Sequence, residues 1–296
     1  PPHVPHPPAL VTIMHANNET GSISPVGEFS RMCHQHDIPF HTDAAQSLCK
    51  IPTTFGTTTT PPPSMTTVVA HKIGGMKGVG ALVFSGIFES SPGVREVWDT
   101  CGGGGGLGNV GGGQEGGRRG GTENVPGIVG FGEAIRVGVE DMEVNRTRWR
   151  RCKSIVLRVM REEFGGGRVR VNGEGGTTLD NVVSVSVRGV DSREVIKRCW
   201  GRVAVSAGSA CHATTEEEEE VVGAEGEDAV RRGTTDDDDD TAEGTHDDGT
   251  TTTTAPEYKG FVSPVLRAMG IGGERARGTF RISFGGGTTV GEVRDV

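Results

Sequence analysis

The sequence predicts an α/β chain: a mostly parallel sheet first, then a smaller α+β unit. Three observations carry this. Short apolar runs alternate with helical or long connections through the first third of the chain, the pattern of parallel strands with crossovers. Each run is followed at once by polar or turn-forming residues. The second half then changes character, with a long arginine-rich helical stretch ahead of alternating strands.

Leu10 to Met14 reads as a buried strand. Asn17, Asn18 and Gly21 follow as turn chemistry. Ser24 then has the place of a helix cap, with Pro25 at the first helical position and Phe29, Met32 and Cys33 at helical spacing. Ile38 to His41, Thr67 to Ala70 and Ala81 to Phe84 are the next strands. In open parallel sheets the chemistry collects at the carboxyl ends of strands. Asn18, Asp43 and Lys72 each lie just past such an end.

Beyond a Gly-dominated stretch from Cys101 to Gly121, Ile128 to Phe164 has the helical period, as one long helix or two. Asn181 to Val187 and Val203 to Ser206 read as strands, with Ser192 to Trp200 a helix between them. Ser263 to Met269 is a short helix and Thr279 to Phe284 a final strand. The expected division is a large unit over 1–132 and a small C-terminal one over 133–296.

The chain has 296 residues and a formal charge of −9, but the acidity is local. Between Thr215 and Thr250 there are 16 acids and two bases, so the rest of the chain is mildly basic. An acidic insert at about 214–258 is therefore expected to repel itself and bury nothing. Such a stretch repels phosphates, and no basic aromatic stripe accompanies it, so nucleic-acid binding is not expected. No run of about 18 apolar residues is present, which removes a membrane-spanning helix from the expectations. No secretory signal is read at the start. The six cysteines form no CxxC pair, against a disulfide scaffold or a zinc cluster. No metal is expected.

Asp43, Gln46 and the pair His71-Lys72 form a constellation. Pyridoxal phosphate takes a lysine amine at its aldehyde and an acid facing its pyridine nitrogen. The acid keeps that nitrogen protonated, because a nearby negative charge favours the cation. Taken singly, each of these residues is weak evidence; a lone lysine after a strand is usually a surface lysine.

The wording around them is specific. Val11-Thr-Ile-Met-His-Ala-Asn-Asn-Glu-Thr-Gly21, His41-Thr-Asp-Ala-Ala-Gln-Ser47, Ala70-His-Lys-Ile73 and Lys77-Gly-Val-Gly-Ala-Leu82 resemble the cysteine desulfurase and selenocysteine lyase family. Gly121-Thr-Glu-Asn-Val125, Val205-Ser-Ala-Gly-Ser-Ala-Cys-His212, Ser263-Pro-Val-Leu266 and Phe280-Arg-Ile-Ser283 resemble its later motifs, in order. The family is class V aminotransferase-like, of pyridoxal-phosphate transferase fold type I. The resemblance implies pyridoxal 5'-phosphate as cofactor and a homodimer. It implies that Lys72 is the imine-forming lysine, His71 its neighbour at the cofactor, and Asp43 the acid at the pyridine nitrogen. Gln46 would bond the ring hydroxyl, and Asn18 would lie near the ring and the substrate carboxylate. Thr122 would reach the cofactor phosphate of the other subunit. Arg281 would clamp the substrate carboxylate, and Cys211 would be the nucleophile, with His212 a helper or a bystander.

The implied reaction removes sulfur from L-cysteine, giving L-alanine and an enzyme persulfide for an acceptor protein, as in iron-sulfur cluster assembly. Selenocysteine lyase, giving L-alanine and selenide, is the alternative within the class. A non-catalytic interaction protein using the acidic insert is the alternative outside it. The family's phosphate-binding turn and ring-stacking histidine have no counterpart here, and Val69 stands where many desulfurases have a serine. Those parts are expected to precede Pro1. The compartment, cytoplasmic or mitochondrial, stays open for the same reason.

Overall fold

The computed structural model describes residues 8–53, 56–57, 60–86, 112–117, 119–199, 203–207 and 262–294. Cys211, His212 and the acidic insert lie outside the described residues.

The first sheet is β1 (Val11–Met14), β2 (Phe40–Asp43), β3 (Met65–Val69) and β4 (Gly80–Phe84), side by side in that order. β1, β2 and β3 are parallel and β4 is antiparallel to β3, so the sheet is mostly parallel as the sequence predicts. Met14 pairs with Asp43, which in turn pairs with Thr67. Three carboxyl ends thus meet at one edge.

α1 (Val26–Gln35) packs Val26 and Cys33 against Phe40. The expected Ser24 cap does not form. Pro25 takes the capping position with no side-chain bond, and the Ser24 carbonyl accepts from Val26 N at 2.8 Å. Met32, expected on the apolar face, is exposed. The buried stripe runs through Val26, Ser30 and Cys33 instead, with the Ser30 hydroxyl donating to the Pro61 carbonyl at 2.7 Å.

The long helical stretch is two helices, α2 (Val125–Glu140) and α3 (Met142–Phe164), separated at Asp141. α2 starts on Asn124, whose side chain accepts from Gly127 N, with Pro126 in the first turn. Its Phe131 and Ile135 pack with Ala44, Val68 and Ala70 of the first sheet. Residue 132, the expected end of the large unit, therefore falls inside a helix that belongs to that sheet. α3 carries Trp149, Cys152 and Met160 into a second core. That core covers an antiparallel sheet of β5 (Val169–Val171), β6 (Val182–Val187) and β7 (Thr279–Ser283). Further short helices among the described elements are α4 (Ser192–Cys199), α5 (Pro264–Ala268), α6 (Gly273–Arg277) and α7 (Val290–Arg294), with one turn of helix at Gln114–Gly117 ahead of α2. Val203 to Ser206 does not form a strand. Only Ser206 pairs, in a single bridge to Arg281 of β7.

The two units meet through Ala16 and Ile23 on one side and Leu179 and Val182 on the other. Gly21 makes that approach possible. Its φ is +74°, and a side chain there would come within 3.1 Å of Val182. Leu179 N donates to the Gly21 carbonyl at 2.8 Å, which locks the turn after β1 onto the second unit. Among the described residues no helix is long and apolar enough to cross a membrane.

Candidate active site

Each strand end builds its own turn. After β1, the Asn17 side chain accepts from Glu19 N at 2.9 Å and Thr20 N at 3.0 Å, a local Asx turn that presents Asn18. After β2, the Asp43 carboxylate accepts from Ala45 N at 2.8 Å. Ala44 is fully buried beneath, and Leu48 N returns to its carbonyl at 3.0 Å. The Ser47 hydroxyl meets His15 Nδ1 at 2.8 Å, both side chains buried. Gln46 is thereby held on a short, pinned turn. After β3 comes one 3-10 turn, Ala70–Lys72. Ala70 is fully buried, and its carbonyl accepts from Ile73 N and Gly75 N, both at 3.0 Å. A side chain at Gly75 would collide with Ala70 at 2.9 Å, so the glycine lets the chain fold tightly under the turn. His71 and Lys72 are left exposed at the surface of this anchored loop.

These turns open on a cavity of about 540 Å³ between the two units. Asn18, Gln46, His71, Lys72 and Arg281 all line it. Arg281 sits in β7, between Ser184 of β6 and Ser206. It reaches back across the seam, and its Nη1 donates to the Asn18 carbonyl at 2.6 Å. Burial pulls this guanidinium below its ordinary value, and the Glu19 carboxylate opposes that pull. Glu19 is itself buried and accepts from the Ser263 hydroxyl at 2.5 Å. Ser206 and Ser263, which flank the segment carrying Cys211, are therefore both tied to the Asn18–Glu19 turn, one through Arg281 and one through Glu19.

Two sequence-predicted residues lie outside this lining. Asp43 is at the same strand-end edge, with Oδ1 accepting from Ala45 N, and it is not among the lining residues. Thr122 is exposed beside Gly121 and does not line the cavity. Two titratable lining residues were missed by the sequence reading. Cys49 is buried with φ +56°, its side chain against Gly138 of α2. Lys50 is 8 % exposed. Burial first, then the charge of Lys72, pull the Lys50 ammonium down to about 8, against a small opposing effect of Cys49. The Lys50-Ile51-Pro52 exit from a polar turn gives no hint of such burial.

Lys50 makes the stability pH-dependent. Folded Lys50 releases its proton near pH 8 and the unfolded lysine near 10.5. Between those values the unfolded chain holds more protons, so stability rises with pH across that window. Below it both states carry the charge and the full cost of burying it remains. Lys50→Met is expected to stabilise the fold at pH 7 by about 3 kcal/mol, from a shift of this size, and to flatten the rise. Urea unfolding at pH 7 and pH 10 measures both.

The pattern of the aminotransferase class V family matches residues 2–229. A cysteine desulfurase of Frankia sp. (strain EuIK1) is 34% identical over 290 residues, covering 97% of this chain and 54% of that protein. A mitochondrial cysteine desulfurase of Arabidopsis thaliana is 36% identical over 202 residues, covering 68% of this chain and 40% of that protein. The chain spans about half the length of the curated relatives it matches. Among solved structures, a NifS-like protein from Rickettsia africae ESF-5 superposes with a TM-score of 0.64 at 22% identity, over 96% of this chain and 59% of that one. The fold is thus the pyridoxal-phosphate transferase α/β fold that the sequence motifs imply. With the family pattern covering most of its length, the chain belongs to the aminotransferase class V family.

Proposed function

We propose that this chain carries the catalytic apparatus of a pyridoxal-phosphate-dependent cysteine desulfurase. The observation that supports it most is the joint lining of one cavity by Asn18, Gln46, Lys72 and Arg281, three strand-end turns and one residue over two hundred positions away. The cavity volume of about 540 Å³ is within the usual range of about 300–1,000 Å³ for small-molecule sites. The donor set fits the cofactor: an exposed amine on a rigid turn, an amide beside it, and no carboxylate in the lining to repel a phosphate. When bound, pyridoxal phosphate supplies an electron sink for bonds broken at the substrate Cα and Cβ.

The chain's own residues do the rest. Arg281 holds the α-carboxylate of L-cysteine in its two-pronged donor, and its anchor on Asn18 fixes where Cα stands. Lys72 Nζ takes the proton from Cα and returns one toward Cβ. The Cys211 thiolate attacks the substrate sulfur; the new S–S bond forms as the Cβ–S bond breaks. L-cysteine plus one thiol becomes L-alanine plus one persulfide, and atoms balance with no external oxidant. Asp43 would serve the pyridine nitrogen from the strand-end edge, and His71 would flank the cofactor. Thr122, exposed at the start of α2, serves the second subunit's phosphate in a homodimer. The persulfide passes to an acceptor protein.

The test is product analysis with pyridoxal phosphate present. Equal yields of alanine and sulfide from L-cysteine, under thiol reductant, are expected. Turnover of L-selenocysteine alone would overturn the desulfurase reading in favour of the lyase. Turnover of neither, in a folded protein, would overturn both.

A further inference from the structure

We propose that Lys50 is a second aldehyde-capturing amine in the Lys72 cavity, selective for small aldehydes that carry an anionic group. The proposal rests on the cavity and not on the role assigned to Lys72. Lys50 and Lys72 line the same space, yet their settings differ. Lys72 is exposed on its turn, whereas Lys50 is 8 % exposed. Among the described residues no hydrogen-bond acceptor or ion-pair partner is found for Lys50 Nζ, and no Asp or Glu lines the cavity. A buried amine with no anionic partner is an energetic liability unless it binds something or loses its proton.

The groups around it agree. Lys72 faces it from the turn after β3 and disfavours its charge; the neighbouring Cys49 favours it weakly. His71 and Arg281 are the other basic groups of the lining. With its ammonium brought down to about 8, roughly a quarter of Lys50 is a free amine at pH 7.5, against about 0.1 % for an ordinary lysine. The Cys49 thiol is pushed up by burial, so it stays protonated and does not compete for a carbonyl. The chemistry is a simple condensation. Neutral Nζ adds to the carbonyl carbon, the carbinolamine loses one water, and an imine remains. No electrons are exchanged. The anionic end of the aldehyde lies among Arg281, His71 and the Lys72 ammonium.

Reductive trapping tests this directly. Wild type, Lys72→Ala, Lys50→Met and the double variant are incubated with pyridoxal 5'-phosphate or glyoxylate, reduced with borohydride and mapped by peptide mass spectrometry. Lys72 is an exposed side chain, so its truncation leaves the fold intact. In Lys72→Ala the label at Lys50 is expected to exceed that at the exposed Lys77 and Lys197 at least tenfold. It should rise with pH to a midpoint above the wild-type value of about 8, because the Lys72 charge that helps lower Lys50 is gone, and vanish in the double variant. Label at Lys50 no greater than at Lys77 and Lys197 would overturn the proposal. Wild-type protein labelled at Lys50 and not at Lys72 would sink the desulfurase reading while leaving this one standing. Label at Lys72 alone, with Lys72→Ala unlabelled, does the reverse.

Discussion

Replacing Lys72 with alanine is expected to lower alanine formation from L-cysteine by about 10³-fold, the scale of a lost general acid-base group. The structure makes this loss interpretable. Lys72 is exposed, on a turn whose position depends on the buried Ala70 and on Gly75, not on the lysine. Truncation should therefore change stability by less than about 0.5 kcal/mol, and a melting curve checks that. Lys72→Arg is the sharper control. A guanidinium keeps the charge but does not give up its proton near neutrality, so it should be as inactive as alanine. Residual aldehyde capture at Lys50 does not rescue turnover, because that amine sits on another turn and is not placed by the Ala70 loop. A Lys72→Ala protein that keeps more than a tenth of its activity would remove Lys72 from the proton transfers.

The parallel sheet was legible because its strands are short apolar runs, each ended by the very turn that carries chemistry. Asn18, Asp43 and Lys72 could be placed at one edge from that pattern. Their exact bounds slipped, since the apolar run of β3 starts two residues before the Thr67 chosen from sequence. β5 was missed because three residues, Val-Arg-Val, carry no measurable period. The break at Asp141 was left open because both flanking helices are amphipathic and no proline marks it. Arg281 reached the site only through a resemblance; nothing local distinguishes it from other arginines. Lys50, Cys49 and Glu19 were silent for a related reason. Cys49 is covered by α2 and Glu19 by the second unit, and a polar residue in a turn gives no sign that a distant element will cover it.

Cys211→Ala should abolish sulfur release from L-cysteine while sparing selenium release from L-selenocysteine to within about tenfold. The thiolate is needed only where the leaving group must be pulled from carbon, and selenolate leaves more readily than thiolate. The described residues on either side explain why this cysteine, of the six in the chain, is the one to alter. Ser206 exchanges two backbone bonds with Arg281, at 2.7 and 3.1 Å. Cys211 is five positions further on, a tether of at most about 18 Å. The return point, Ser263, is held by Glu19 at 2.5 Å. The proposed substrate clamp and the described residues that flank the proposed nucleophile thus share one support, the Asn18–Glu19 turn. Cys33 and Cys152, by contrast, are buried in the two cores, and burial pushes both thiols up. If Cys211→Ala keeps wild-type sulfide output, the sulfur must be received elsewhere, and Cys49, a thiol among the described cavity-lining residues, becomes the next residue to replace.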